Sequence, residues 1–185
     1  MTTVFISGSM NIKRLDSKVK ERINNIVTSD FEVVVGDADG ADTSIQQNLF
    51  ELCCPKVTVY CSGASPRNNV GNWPVHVVKT SYSEGSRAFF TAKDLAMAEI
   101  ADFGLMIWDT KSTGTLSNVI ELLLRKKKSV VFVNKEKSFK TIGSVEQLEA
   151  LIDCMSEHAK RKADEKIRLV SKVELLKHEQ SNMFV

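Results

Sequence analysis

Short β-branched apolar runs alternate with stretches of helical periodicity from residue 3 to residue 133. Residues 3–7, 32–36, 56–61, 75–78, 103–108 and 129–133 are brief and apolar and predict six strands. Amphipathic segments lie between them. Asp16 is placed to cap a helix reaching about residue 27, with Val19, Ile23 and Ile26 on one face. A second helix starts near Ala41 or Asp42 and carries Ile45, Leu49 and Leu52. A third lies within residues 84–100, with Phe89, Phe90, Leu95, Met97 and Ile100 as its apolar candidates. A fourth runs from Gly114 or Thr115 to about Lys127. Residues 62–73 contain Gly, Ser, Pro and Asn throughout and predict a loop. Regular strand–helix alternation predicts an α/β fold, a Rossmann-like doubly wound, mostly parallel sheet with helices on both faces.

Beyond residue 143 the pattern is helical alone. Leu148, Leu151, Ile152, Met155, Ala159, Ala163, Ile167, Val170 and Val173 recur near helical spacing, as one long helix or two shorter ones. Residues 135–143 read as a polar connection. The expected organisation is a Rossmann-like nucleotide-binding unit over 1–134 and a C-terminal helical extension over 144–180. The apolar stripe of the extension must be buried on its own domain or on a second copy, so a homodimer is one of two readings. The charged stretch 157–166 is expected to project partly into solvent.

Composition narrows the classes. A 185-residue chain with 43% hydrophobic residues suits a globular domain and not a disordered one. No apolar run approaches the roughly 20 residues of a membrane span, and no secretory h-region opens the chain. The formal charge is +2. Its one basic cluster, residues 125–128, falls at a predicted helix C-terminus, where cations favour the dipole. A solvated helix end is the expected reading, and nucleic acid is not expected as a partner. Cys53, Cys54, Cys61 and Cys154 fit neither a zinc site nor a disulfide framework, which suggests reduced thiols and a cytoplasmic protein. The three histidines are scattered, so no metal is expected, and no cofactor.

The candidate chemistry sits where strands end. The strand 103–108 ends at Asp109, and a polar turn with Lys111 and Ser112 leads to Gly114-Thr115 at a helix start. Unpaired N–H groups and a partial positive charge there suit a phosphate. Gly8-Ser9 follows the first strand, with Gly8 allowing close backbone approach and Ser9 a hydroxyl donor. Residues 36–42, GDADGAD, follow the second. Gly36 and Gly40 would admit a ligand while Asp37, Asp39 or Asp42 holds ribose hydroxyls; capping by Asp39 and Asp42 is the structural alternative. A calcium loop fits poorly, since the later Glu is missing. Among Arg87, Lys93 and Asp94 on the third helix, Arg87 is the cation expected to reach the site. Three such strand ends predict one crevice along the carboxyl edge of the sheet.

The ordered set ISGS (6–9), GDADGAD (36–42) and ADFGLMIWDTKSTGT (101–115) resembles the SLOG superfamily of Rossmann-like nucleotide-binding domains, including its YpsA-like branch and its lysine-decarboxylase-like LOG relatives. The resemblance spans residues 3–133. It implies binding of a nucleotide or nucleotide-derived small molecule, as a sensor or carrier. Hydrolytic relatives that cleave an N-glycosidic bond carry GlyGly-x-GlyThr-x-x-Glu. Here Ser112-Thr113 precede Gly114, and Asn118 stands where the Glu would be. An amide neither stabilises an oxocarbenium-like charge nor activates water as a carboxylate does, so binding is expected over catalysis. The alternatives are an N-glycosidase or transferase acting on a nucleoside monophosphate, with Glu121 or an Asp as carboxylate, and an interaction protein with a vestigial site.

Overall fold

The computed structural model describes residues 1–182. Seven strands form one sheet in the order β4-β3-β2-β1-β5-β6-β7. They are β1 (Thr3–Gly8), β2 (Glu32–Gly36), β3 (Val57–Cys61), β4 (Val75–Val77), β5 (Phe103–Trp108), β6 (Lys128–Val133) and β7 (Ser138–Ile142). The first six are parallel, and β7 runs antiparallel to β6. The helices are α1 (Ser17–Thr28), α2 (Ala41–Glu51), α3 (Arg87–Ile100), α4 (Thr113–Leu124), α5 (Val145–Ile152), α6 (Glu157–Ile167) and α7 (Leu169–Asn182). The fold is the expected α/β class with added C-terminal helices. None of the described helices is long and apolar enough to cross a membrane.

The period-2 alternation of each strand divides the core into two layers. Val4, Ile6, Val33, Val35, Leu105 and Ile107 pack on α1 and α2. Phe5, Val34, Met106, Trp108, Val131 and Val133 face α3, α4 and the C-terminal helices. The caps follow the sequence: Asp16 accepts from Lys18 N–H, and Ser112 accepts from Thr115 N–H.

Four expectations change. Residues 135–143 contain β7, a short edge strand in which Ile142 alone is buried, so its sequence looked like a polar linker. The C-terminal segment is three helices. Arg168, at a left-handed φ of +53°, restarts the helical phase between α6 and α7, and Val170 is left 62% exposed. Ala159, Ala163, Ile167, Leu169, Val173 and Leu176 join the same core as Leu116 and Val119 of α4. The stripe is covered by its own chain, so it supplies no reason for a homodimer. Finally, the buried face of α3 is Lys93, Met97 and Ala98, while Phe90, Leu95 and Ile100 are exposed.

Candidate functional site

The strand order turns at β1 and β5. The chain leaves β1 for α1 on one face and leaves β5 for α4 on the other, which opens a crevice at the carboxyl ends of these strands. Gly8 makes the crevice floor tight. A Cβ there would stand 2.7 Å from Ala41 Cβ and 2.8 Å from the Ile107 carbonyl. Ser9 is buried and knits the floor together. Its N–H donates to Ile107 O, its Oγ accepts from Asp109 N–H, and it shares a 3.2 Å hydrogen bond with Thr115 Oγ1. It is therefore a scaffold residue and not a free donor.

Asp109 and Ser112 shape the turn into α4. Asp109 Oδ1 accepts from Lys111 N–H at 2.9 Å and Ser112 N–H at 2.7 Å. Ser112 Oγ accepts from Thr115 N–H. Among the described residues the N–H groups of Thr113 and Gly114 are left without an acceptor, at the positive end of the helix dipole. Gly114 borders open space: the nearest atom to an added Cβ is Ser112 Oγ at 4.0 Å.

The acidic turn does different work from that expected of it. Gly40 is the N-cap of α2, at φ +82°, and a Cβ there would run into the Met10 backbone. Asp39 is exposed and accepts from Asn68 Nδ2 at 2.9 Å. Asp37 is buried and holds Arg67 in a two-point pair, with Nη2 at 2.8 Å and Nε at 3.1 Å. Burial works to raise the Asp37 carboxyl, but the Arg67 hydrogen bonds and the Lys93 charge outweigh it and hold it low. Asp42 is buried, accepts from Ser7 Oγ at 3.3 Å and lies 3.9 Å from Lys93 Nζ. No carboxylate of this turn is left unengaged for a sugar.

Lys93 is the residue that sequence reasoning underrated. It is 4% exposed, and Asp94, Asp42 and Asp37 surround its ammonium at 2.9, 3.9 and 4.0 Å. Burial works to lower its pKa, but these charges win and keep it cationic. Gly36 makes room for the cluster. Its added Cβ would come within 2.6 Å of Lys93 Nζ. The signal available in the sequence was the Lys93–Met97 spacing, one helical turn, opposite a strand-end glycine. Arg67 was missed because residues 62–73 looked like an unstructured loop. In fact Gln46, Asn68 and Asp37 pin that loop to β2 and α2.

Burial pushes the Asp42 carboxyl up to about 6, despite the opposing charge of Lys93. An acid raised in the folded state contributes stability that is full below its unfolded value and is lost as pH rises through about 6. Asp42→Asn removes that dependence. Urea unfolding should show the variant gaining on its parent by on the order of 2–3 kcal/mol between pH 4 and pH 7.5. An unchanged gap would contradict a buried, raised Asp42.

Above this floor lies a cleft of about 560 Å³. Of the sequence candidates, Gly8, Asp42, Arg87, Asp109, Lys111, Ser112, Gly114, Thr115 and Asn118 line it; Ser9, Gly36, Asp37, Asp39 and Gly40 do not. Six cations line it: Arg67, Arg87, Lys93, Lys111, Lys162 and Lys166, against the carboxylates Asp42, Asp94 and Asp109. Arg67 and Lys93 make the ion pairs of the cleft. Among the described residues, Arg87, Lys111, Lys162 and Lys166 pair with no carboxylate, and all four are exposed. Lys162 and Lys166 come from α6, which packs on α4 and leans its basic side over the cleft. Phe90 lines the same wall, 38% exposed, with Arg67 stacked 4.9 Å from its ring. Glu121, the reserve catalytic carboxylate, lies away from the cleft, paired with Arg125 at 2.7 Å and Lys172 at 3.4 Å.

No protein-family model matches the chain, and no curated protein does. A solved structure does: DNA processing protein A from Helicobacter pylori, described by its single-stranded DNA binding mode. The two superpose with a TM-score of 0.50 at 17% identity, over 70% of this chain and 64% of that one. The chain thus spans less than two thirds of that protein's length, and the likeness concerns the fold. It nevertheless corrects the functional expectation. The small nucleotide-type ligand, and the exclusion of nucleic acid, are withdrawn, because a solved structure that shares this fold is described by its single-stranded DNA binding mode. The glycosidase alternative loses Glu121 to Arg125 and Lys172, and the aspartates that line the cleft are engaged, Asp42 and Asp94 by Lys93 and Asp109 by the N–H groups of Lys111 and Ser112; a cleft lined by six cations is not vestigial. What stands is a Rossmann-like chain with a cationic cleft at the turning point of its sheet.

Proposed function

We propose that the cleft binds single-stranded DNA. Four exposed, unpaired cations that converge on one cleft beside an exposed phenylalanine are the observation that carries this reading. Phosphates would lie on Arg87, Lys111, Lys162 and Lys166 and on the free N–H groups of Thr113 and Gly114, and a base would stack on Phe90. A basic groove interleaved with aromatic rings is how sequence-tolerant single-strand binding is built. A mononucleotide would need only the turn at α4; cations spread from α3 to α6 suit a chain of phosphates. Residues 1–134 would supply the turn and residues 144–180 the basic rim, so both expected units serve one site. Descent from the SLOG superfamily and a cytoplasmic location are carried as parts of the same proposal. The ordered strand-end motifs support the first and four free thiols the second.

Fluorescence anisotropy with a labelled dT12 oligomer tests the reading. Binding is expected at 50 mM salt and should weaken as salt rises. Gly114→Val should lower affinity about tenfold by filling the space before the free N–H groups, while stability stays within about 0.5 kcal/mol, since an added Cβ there meets nothing closer than 4.0 Å. Absence of binding at 50 mM salt, or indifference to Gly114→Val, rejects this site.

A further inference from the structure

A second cavity, about 410 Å³, lies behind the Arg67–Phe90 pair, which forms a wall of both cavities. Its character is opposite to that of the cleft. It holds one cation, Arg67, already bound by Asp37, together with the carboxylate of Glu84. Small residues of the turn after β3 make its other side, and Phe89 and Phe90 meet edge to face at 5.4 Å between ring centroids. At its lining the Ser62 Oγ is buried with no hydrogen-bond partner. A buried hydroxyl without a partner calls for an explanation, and a ligand group that completes it is one.

We propose that this cavity receives one base of the bound strand and favours a base with an exocyclic amino group. This rests on the single-strand reading above. The acidic lining repels phosphate, so the backbone stays in the cleft while a flat, uncharged ring turns past Phe90 and lies against the phenylalanine wall of the cavity. A carboxylate only accepts hydrogen bonds. Glu84 at the rim therefore rewards an amino donor and opposes the carbonyl oxygen that uracil or thymine presents in its place. Ser62 Oγ is closed off from solvent and meets the ring edge only once its side chain turns about χ1; it can then donate or accept and so satisfies either edge.

The test compares dC12 with dU12, which differ by amino against carbonyl at the ring position in question and by an accepting against a donating N3 beside it. The full chain should bind dC12 about tenfold more tightly, within the range of one good polar base contact. Glu84→Gln, an exposed substitution, should erase the difference and leave the salt dependence of binding unchanged, since no phosphate contact is lost. Ser62→Ala should weaken both oligomers alike. Equal binding of dC12 and dU12 by the parent overturns the base pocket while leaving the cleft reading intact. A preference that survives Glu84→Gln overturns the role of Glu84. Failure of both oligomers to bind overturns the cleft reading and this one with it.

Discussion

Lys93→Met is expected to cost the fold about 3–5 kcal/mol at pH 7.5, the range for removing one partner of a buried charge pair. Its ammonium is the shared counter-charge of Asp94, Asp42 and Asp37, all packed between β2, α2 and α3. Methionine fills the same length of cavity, so packing survives and the loss is electrostatic. Arg67 still satisfies Asp37, which leaves Asp42 and Asp94 uncompensated. The loss should therefore shrink in acid. Without Lys93, the Asp42 carboxyl rises further above its present value of about 6. Its penalty is absent below the unfolded value near 3.8 and complete once pH passes the folded one. Urea unfolding at pH 4.5 and 7.5 compares a penalty that has only begun with one that is far developed. The double variant Lys93→Met with Asp42→Asn should recover part of the loss at pH 7.5, as residues in one network are not additive. A pH-independent cost with no recovery would assign the effect to packing instead.

The strand ends were legible because each carried its own local signal. A β-branched run, a glycine and a capping Asp or Ser predicted β2, β5 and the start of α4 to within a residue or two. Those signals reside in neighbouring positions and need no tertiary information. The floor of the site depended on tertiary contacts. Lys93 sits among Phe89, Phe90 and Leu95, and the aromatic residues suggested a buried face that is in fact turned outward. Only the approach of Gly36 and the acidic turn makes Lys93 the inward residue. Arg67 is held by hydrogen bonds to Asp37, just after β2, while Gln46 of α2 holds its neighbours Asn68 and Val70, and no local pattern records these contacts. The class of ligand proposed for the cleft was hidden for a related reason. A phosphate-binding turn looks the same whether it serves one phosphate or one of many. What separates the two cases is the charge brought by α6, which the sequence presents as an ordinary solvated stretch.

Reversing that rim, with Lys162→Glu and Lys166→Glu together, is expected to cost more single-strand affinity than any other surface change. If Arg87, Lys111, Lys162 and Lys166 each neutralise a phosphate, log K should fall against log salt with a slope of roughly −2.8, and the double variant should show roughly −1.4. Extrapolated to 1 M salt, where the electrostatic contribution vanishes, two lost contacts amount to a factor of roughly 60 at 50 mM. Both residues are exposed on α6, whose buried face is Ala159, Ala163 and Ile167, so the helix should remain docked. The matched control is Lys126→Glu with Lys128→Glu. It changes net charge equally but lies where β6 begins, at the opposite edge of the sheet from the cleft. It should leave the slope near that of the parent. If instead both pairs weaken binding equally, attraction is a property of overall charge and the cleft is not its seat. If neither does, the cations of α6 contact no phosphate, and the strand must run along α3 and the turn into α4 alone.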